Sequence, residues 1–203
     1  MVPFQPLENV KAYVVKAGMG LGKTTQLKRF IEKHPHESFL IISSRISLSY
    51  SQHGTLTGFA HYSEQRWDAD KLIIQYESLH HIPRFFNYVV VDEIRALISC
   101  MTSTVTNGVH IRTNVNVLTK LIQESDLSIF LGADIEVDNA VPFFLKHVVD
   151  TDRIHVVRYS KTLIQRNLQI MYDEEHFAFL ISRSLENGIK VGIGCQSKKR
   201  ALM

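Results

Sequence analysis

Cysteine is scarce. The 203 residues hold two, Cys100 and Cys195. They lie far apart and form neither a CxxC pair nor a disulfide framework, so a reducing compartment is the simplest setting. No apolar run approaches the roughly 20 residues that a membrane span needs. Met1 to Pro6 has no basic stretch followed by a long apolar one, so no secretory signal is visible. Internal repeats, Pro/Ser-rich linkers and low-complexity tracts are also lacking. Neither charge sign dominates: Lys+Arg 23 against Asp+Glu 20 gives +3, which permits a nucleic-acid partner without arguing for one. The ten histidines include His80-His81 but show no HExxH or other metal spacing, and read as structural or solvent-exposed. What remains is a soluble intracellular chain with no membrane partner, 45% apolar and 21% charged, long enough to bury a core.

Short β-branched runs alternate with longer amphipathic stretches. Strands are expected at Ala12 to Lys16, Phe39 to Ser43, Lys71 to Gln75, Tyr88 to Val91 and Leu127 to Leu131. Tyr88 to Val91 is wholly apolar, as in a strand buried on both faces. Helices are expected at Thr24 to Lys33, stopped by His34-Pro35, and at Asn114 to Glu124. This alternation implies an α/β fold with a parallel sheet and helices on both faces. Phe85, Phe86, Phe143 and Phe144 read as core. Beyond Asp150, Arg153 to Tyr159 offers one more strand. A second α/β run then starts at Leu168 to Tyr172, with a helix over Glu174 to Glu186 stopped by Asn187-Gly188, a strand over Lys190 to Cys195 and a helix opening at Ser197 to Ala201. Two strands and one helix cannot cover their own apolar faces. The expected organisation is a complete domain over 1–160 and the truncated start of a second over 161–203.

The strongest chemical signal is Ala17-Gly18-Met19-Gly20-Leu21-Gly22-Lys23-Thr24, a phosphate-binding loop between a strand and a helix. Its glycines let backbone N–H groups curl inward onto phosphate oxygens. The helix beginning near Thr24 and Thr25 adds its positive end. Lys23 can reach the β- and γ-phosphates of ATP, and Thr24 can offer a hydroxyl to Mg²⁺. The second signal is an apolar strand ending in Asp92-Glu93. It would place Asp92 to hold Mg²⁺ and Glu93 to polarise the attacking water. An ordinary acidic strand end has the same look; its position downstream of the loop is what favours the catalytic reading.

Ser43-Ser44-Arg45-Ile46-Ser47 follows the second strand, where hydroxyls and a guanidinium suit nucleic-acid phosphates. A solvated helix start with serine caps explains the same residues equally well. Ser78, after the third strand, is a further candidate for backbone contact, while Tyr76 and His80 read as packing or surface residues. Gly132-Ala133-Asp134 ends the Leu127 to Leu131 strand. Asp134 could couple the ATP site to a nucleic-acid track, although a plain strand-to-loop turn fits as well.

In this order the motifs resemble the first motor domain of a superfamily 2 helicase. More closely they resemble the herpesvirus-type replication origin-binding proteins, through AGMGLGKTT, ISSRISLSYSQ, LIIQYESLHHI, VVVDEIRAL, LGADI and VGIGCQSKKRAL. Gly132 stands where that family carries an Asp, which puts any role for the position in doubt. The resemblance implies two RecA-like domains with ATP and Mg²⁺ between them, DNA as partner (single-stranded or origin DNA), and ATP-driven translocation or unwinding in replication. It also implies a nuclear or viral replication-site location. The family's later motifs, including an arginine worth roughly 10³ to 10⁵ in rate, would come from a C-terminal motor domain in cis that this sequence does not supply. The expectation for this chain by itself is ATP binding with feeble turnover.

Two other readings stay open. GLGKTTQL resembles the loop of thymidylate kinases, and Asp152-Arg153 faintly echoes their Asp-Arg pair, but that pair comes too late in the chain. A non-enzymatic nucleotide- or DNA-binding remnant is the other.

Overall fold

Six short segments rich in Val, Ile, Leu and Phe and a two-residue one pair as the parallel strands of one sheet, in the order β3-β4-β2-β5-β6-β1-β7. The computed structural model describes residues 8–18, 20–104, 108–135, 139–159 and 174–188. The strands are β1 (Ala12–Ala17), β2 (Phe39–Ser43), β3 (Ala60–His61), β4 (Lys71–Gln75), β5 (Tyr88–Asp92), β6 (Leu127–Gly132) and β7 (Ile154–Tyr159). The helices are α1 (Lys23–Lys33), α2 (Ile46–Thr55), α3 (Ile94–Met101), α4 (Ile111–Glu124), α5 (Ala140–Val148) and α6 (Glu174–Glu186). None of the described helices is long and apolar enough to cross a membrane.

Central strands are buried on both faces because successive side chains feed two separate cores. Val14, Leu40, Ile42, Leu72, Ile74, Val89, Val91 and Phe130 face Ile94, Leu97, Leu118, Leu121, Ile122 and Leu145 of α3, α4 and α5. Their neighbours Tyr13, Val15, Phe39, Ile41, Ile73, Tyr88, Val90 and Ile129 face Leu27, Phe30 and Ile31 of α1. Phe30 meets Tyr88 edge-on at 5.0 Å, and Phe39 stacks on Tyr88 at 4.7 Å. These aromatic contacts clamp α1, and therefore the loop that opens it, onto the sheet. Ile73 is fully buried in β4. Ile73→Val is expected to cost about 1 kcal/mol through the small cavity it leaves. Urea denaturation should show a lower midpoint with an unchanged slope.

Two of the four phenylalanines expected in the core are not there. Phe86 and Phe144 are buried, but Phe85 is 54% and Phe143 66% exposed. A helix buries one stripe of its surface and leaves the rest outside. In α5 the inward face is Val141, Phe144, Leu145 and Val148. That leaves Phe143 outside, against the His147 ring at 4.3 Å.

The chain divides into two compact units, Met1–Lys161 and Thr162–Met203. In the second, the described element is α6, closed where Gly188 takes φ 68 and donates its N–H to the Leu185 carbonyl at 2.9 Å. That left-handed turn is the glycine helix stop expected from Asn187-Gly188. The strands anticipated at Leu168 to Tyr172 and Lys190 to Cys195, and the helix opening at Ser197 to Ala201, lie outside the described residues.

Candidate functional site

Parallel pairing sets the strand ends level. Lys16 is opposite Gly132, Ser43 is opposite both Gln75 and Asp92, and Asp92 is opposite Leu131. The motifs singled out in the first unit therefore begin at the carboxyl edge of one sheet, while VGIGCQSKKRAL lies outside the described residues. In open α/β sheets that edge is where ligands bind.

The loop after β1 turns through Gly20 at φ 72 and Gly22 at φ 80. A side chain would be strained at either position even though a Cβ there would meet nothing within 4 Å. Gly22 caps α1 without any side-chain hydrogen bond, and no acid occupies the first turn. The leading amides of α1 thus have no side-chain competitor for an anion. The Lys23 Nζ donates to the Ala17 carbonyl at 2.7 Å and to the Gly18 carbonyl at 3.3 Å, which folds the ammonium back over the loop. Thr24 and Thr25 are exposed on the first turn, and Met19 lies outside the described residues.

Asp92 ends β5 and is 8% exposed. Its Oδ1 accepts the Glu93 N–H at 3.0 Å, and its Oδ2 accepts the Gln52 Nε2 at 2.7 Å. Gln52 in turn accepts the Ser43 hydroxyl at its Oε1. Burial and the neighbouring Glu93 carboxylate push the Asp92 carboxyl above its ordinary range. The Gln52 amide, the Lys23 ammonium and the Glu93 N–H pull the other way. Lys23 at the start of α1 and Asp92 at the end of β5 are thus close enough to act on each other electrostatically. Glu93 caps α3 with its backbone in the left-handed region, φ 55 and ψ 56, where a non-glycine residue is strained.

The donor set suits a nucleoside triphosphate with its magnesium. Loop amides and one ammonium answer the phosphates, while a threonine hydroxyl and an aspartate offer hard oxygen to the ion. Among the described residues no three His, Cys, Asp or Glu side chains gather as a metal cage. Magnesium is typically held by one or two protein oxygens together with phosphates and water.

The other candidates divide by exposure. Arg45 and Ser47 are exposed at the start of α2, Ser78 is half-buried in the 3-10 turn Tyr76–His81 and Asp134 is exposed beyond β6. Ser44 is buried, and its Oγ has no hydrogen-bond partner. Tyr76 is wholly buried, and burial pushes its phenol well up. His80 stacks on His110 at 3.8 Å and donates its backbone N–H to the Asn114 Oδ1 at 2.9 Å. Gly132 has a packing reason: a Cβ there would lie 3.0 Å from Ile135 Cγ1 and 3.5 Å from Ile94 Cγ2. Gln52 escaped the sequence reading. Its only signal was a polar residue one turn past Ser49 in a helix with little apolar face.

The chain is 28% identical over 156 residues to an uncharacterized putative helicase R8 of Acanthamoeba polyphaga mimivirus, covering 68% of this chain and 15% of that one. It is 35% identical over 108 residues to the replication origin-binding protein of human herpesvirus 7, strain JI, covering 48% and 14%. Against the counterpart in human herpesvirus 6A, strain Uganda-1102, it is 34% identical over 102 residues, covering 45% and 13%. The chain thus spans only a small part of these relatives. In three dimensions it is similar to a hypothetical ATP-dependent RNA helicase from Sulfolobus tokodaii, with a TM-score of 0.54 and 12% identity over 73% of this chain and 48% of that one. That likeness shows the fold, which is RecA-like. The family model described as "Origin of replication binding protein" matches residues 2–172, and with most of the sequence so matched the chain belongs to the origin of replication binding protein family.

Proposed function

We propose that this chain is the ATP-binding motor portion of a DNA helicase or translocase acting in replication. The observation that carries the reading is the meeting of the Gly20/Gly22 loop and Lys23 with Asp92 at one sheet edge. Loop amides from Gly18 to Thr25 and the Lys23 ammonium hold the phosphates of ATP. The Thr24 hydroxyl and the Asp92 carboxylate face the magnesium, which when bound neutralises phosphate charge. Glu93, one residue beyond Asp92, accepts a proton from the attacking water. Residues 161–203 belong to a second motor domain. Replication sites are where such a motor works.

DNA follows the row that Arg45 and Ser47 form beyond β2, with Ser44 behind them and Ser78 beyond the neighbouring β4. Asp134 stands past β6 to couple this row to the nucleotide. Titration with a fluorescent ATP analogue tests the reading. Binding that needs no nucleoside monophosphate, and hydrolysis that DNA stimulates, are the expected results. Phosphoryl transfer to a nucleoside monophosphate overturns it.

The proposed DNA contacts are to phosphates, so affinity should ignore sequence and fall with salt. With Arg45 as the cation of that row, about one phosphate is neutralised, and affinity should drop roughly 3-fold between 50 and 200 mM salt. Arg45→Ala should flatten that slope by about one contact. Fluorescence anisotropy with two unrelated oligonucleotides checks both.

A further inference from the structure

Helix α2 presents an unusual face to the protein. A surface helix normally buries an apolar stripe, yet the buried residues of α2 are Ser49 and Gln52. Ser49 is held on one side, where its Oγ lies 3.2 Å from the His61 Nε2. Gln52, 4% exposed, reaches the other way, to the ends of β2 and β5. There Ser43 and Asp92 are register partners, and the amide of Gln52 spans them.

The polarity of this chain is fixed. The Asp92 carboxylate only accepts, so the NH₂ end must face it, and Oε1 is left to accept the Ser43 hydroxyl. The NH₂ end donates to Oδ2 at 2.7 Å while the Glu93 N–H holds Oδ1 at 3.0 Å. Each carboxylate oxygen therefore has one defined donor and retains further acceptor capacity. With both oxygens held, the carboxylate cannot rotate without breaking a buried hydrogen bond, which is costly in a low-dielectric site.

The same helix begins beside the exposed Arg45 and carries Ser47. Gln52 lies seven residues on, roughly 10 Å along the axis at 1.5 Å per residue. A helix moves as a rigid piece over that distance. Anything that seats the first turn of α2 therefore also seats the amide on Asp92.

We infer that Gln52 is a positioning residue, which fixes the Asp92 carboxylate for the magnesium nucleotide and carries to it the seating of DNA on the first turn of α2. This rests on the reading of Asp92 as the metal-facing acid. The inference makes Ser43 part of the same device, as the group that holds the far end of the amide.

The test uses the full chain and a fluorescent non-hydrolysable ATP analogue, titrated with Mg²⁺ with and without a single-stranded oligonucleotide. Gln52→Met keeps the side-chain length and removes both hydrogen bonds. It should raise the Mg²⁺ midpoint about 10-fold and erase the shift that DNA produces in the wild type. Magnesium-free nucleotide affinity should not change. Ser43→Ala, which deletes only the hydroxyl that holds the far end of the amide, should move the midpoint the same way by about 3-fold. It stands in should Gln52→Met fail to fold by circular dichroism.

Asp92→Asn separates the two levels. If it leaves the midpoint unmoved, the reading of Asp92 itself fails. If it moves the midpoint while Gln52→Met and Ser43→Ala behave as wild type, the reading stands and the positioning role is overturned. A wild-type midpoint indifferent to DNA overturns the transmission.

Discussion

Lys23→Ala is expected to weaken ATP binding by about 100-fold, the scale of losing charge-assisted hydrogen bonds to phosphate. The ammonium already sits over the loop, on the Ala17 and Gly18 carbonyls. Its side-chain position is largely set before the phosphates arrive, so little entropy opposes its use. Alanine also removes the cation that pulls the Asp92 carboxyl downward. Burial and Glu93, which favour its protonated form, are then opposed by the Gln52 amide and the Glu93 N–H without the ammonium. The variant therefore loses a phosphate contact directly and weakens the metal-facing acid indirectly. Fluorescent-nucleotide titration measures the loss, and a far-UV spectrum like the wild type assigns it to the site, because Lys23 is only partly buried. Unchanged affinity would remove the loop from the nucleotide reading.

The strands were legible because burial on both faces writes itself as unbroken apolar runs. Phe39–Ser43, Lys71–Gln75 and the stretch from Tyr88 come out where their composition put them. Helices α1 and α4 were legible through helical spacing of Leu27, Phe30 and Ile31, and of Leu118, Leu121 and Ile122. Of helix α2 only a start at Ser43 to Ser47 was offered, as one of two alternatives, because what it buries is Ser49 and Gln52. A search for apolar periodicity passes over a helix held by hydrogen bonds. Helices α3 and α5 were missed for a different reason. Each is short and follows a motif or a turn whose chemistry drew the reading. The two-residue β3 has no pattern to detect. At the site, Lys23 and Asp92 were named from their motifs, and sheet register brings them together. The partner of Asp92 could not be named, since Gln52 is 40 residues away and nothing local marks it.

Glu93→Gln is expected to leave nucleotide binding intact and to reduce hydrolysis by about 10² to 10³, the usual worth of a positioned general base. The substitution keeps the shape of the side chain and removes its charge. That charge is one of the two influences raising the Asp92 carboxyl. Its loss lets Asp92 ionise more readily, so magnesium-nucleotide affinity should hold or rise slightly. Opposite movements of binding and turnover distinguish this outcome from general damage to the site. The backbone supplies a second, independent check. Glu93 sits at φ 55, a conformation that costs a residue with a Cβ on the order of 1 kcal/mol and costs glycine little. Glu93→Gly should therefore melt no lower than Glu93→Gln despite losing its whole side chain, while being equally inactive. A strained residue kept where glycine would be easier points to a demand for the carboxylate. Single-turnover phosphate release, read beside nucleotide affinity and thermal melting for both variants, decides it: turnover equal to wild type in Glu93→Gln removes this carboxylate from the chemistry and leaves its strain without a catalytic reason.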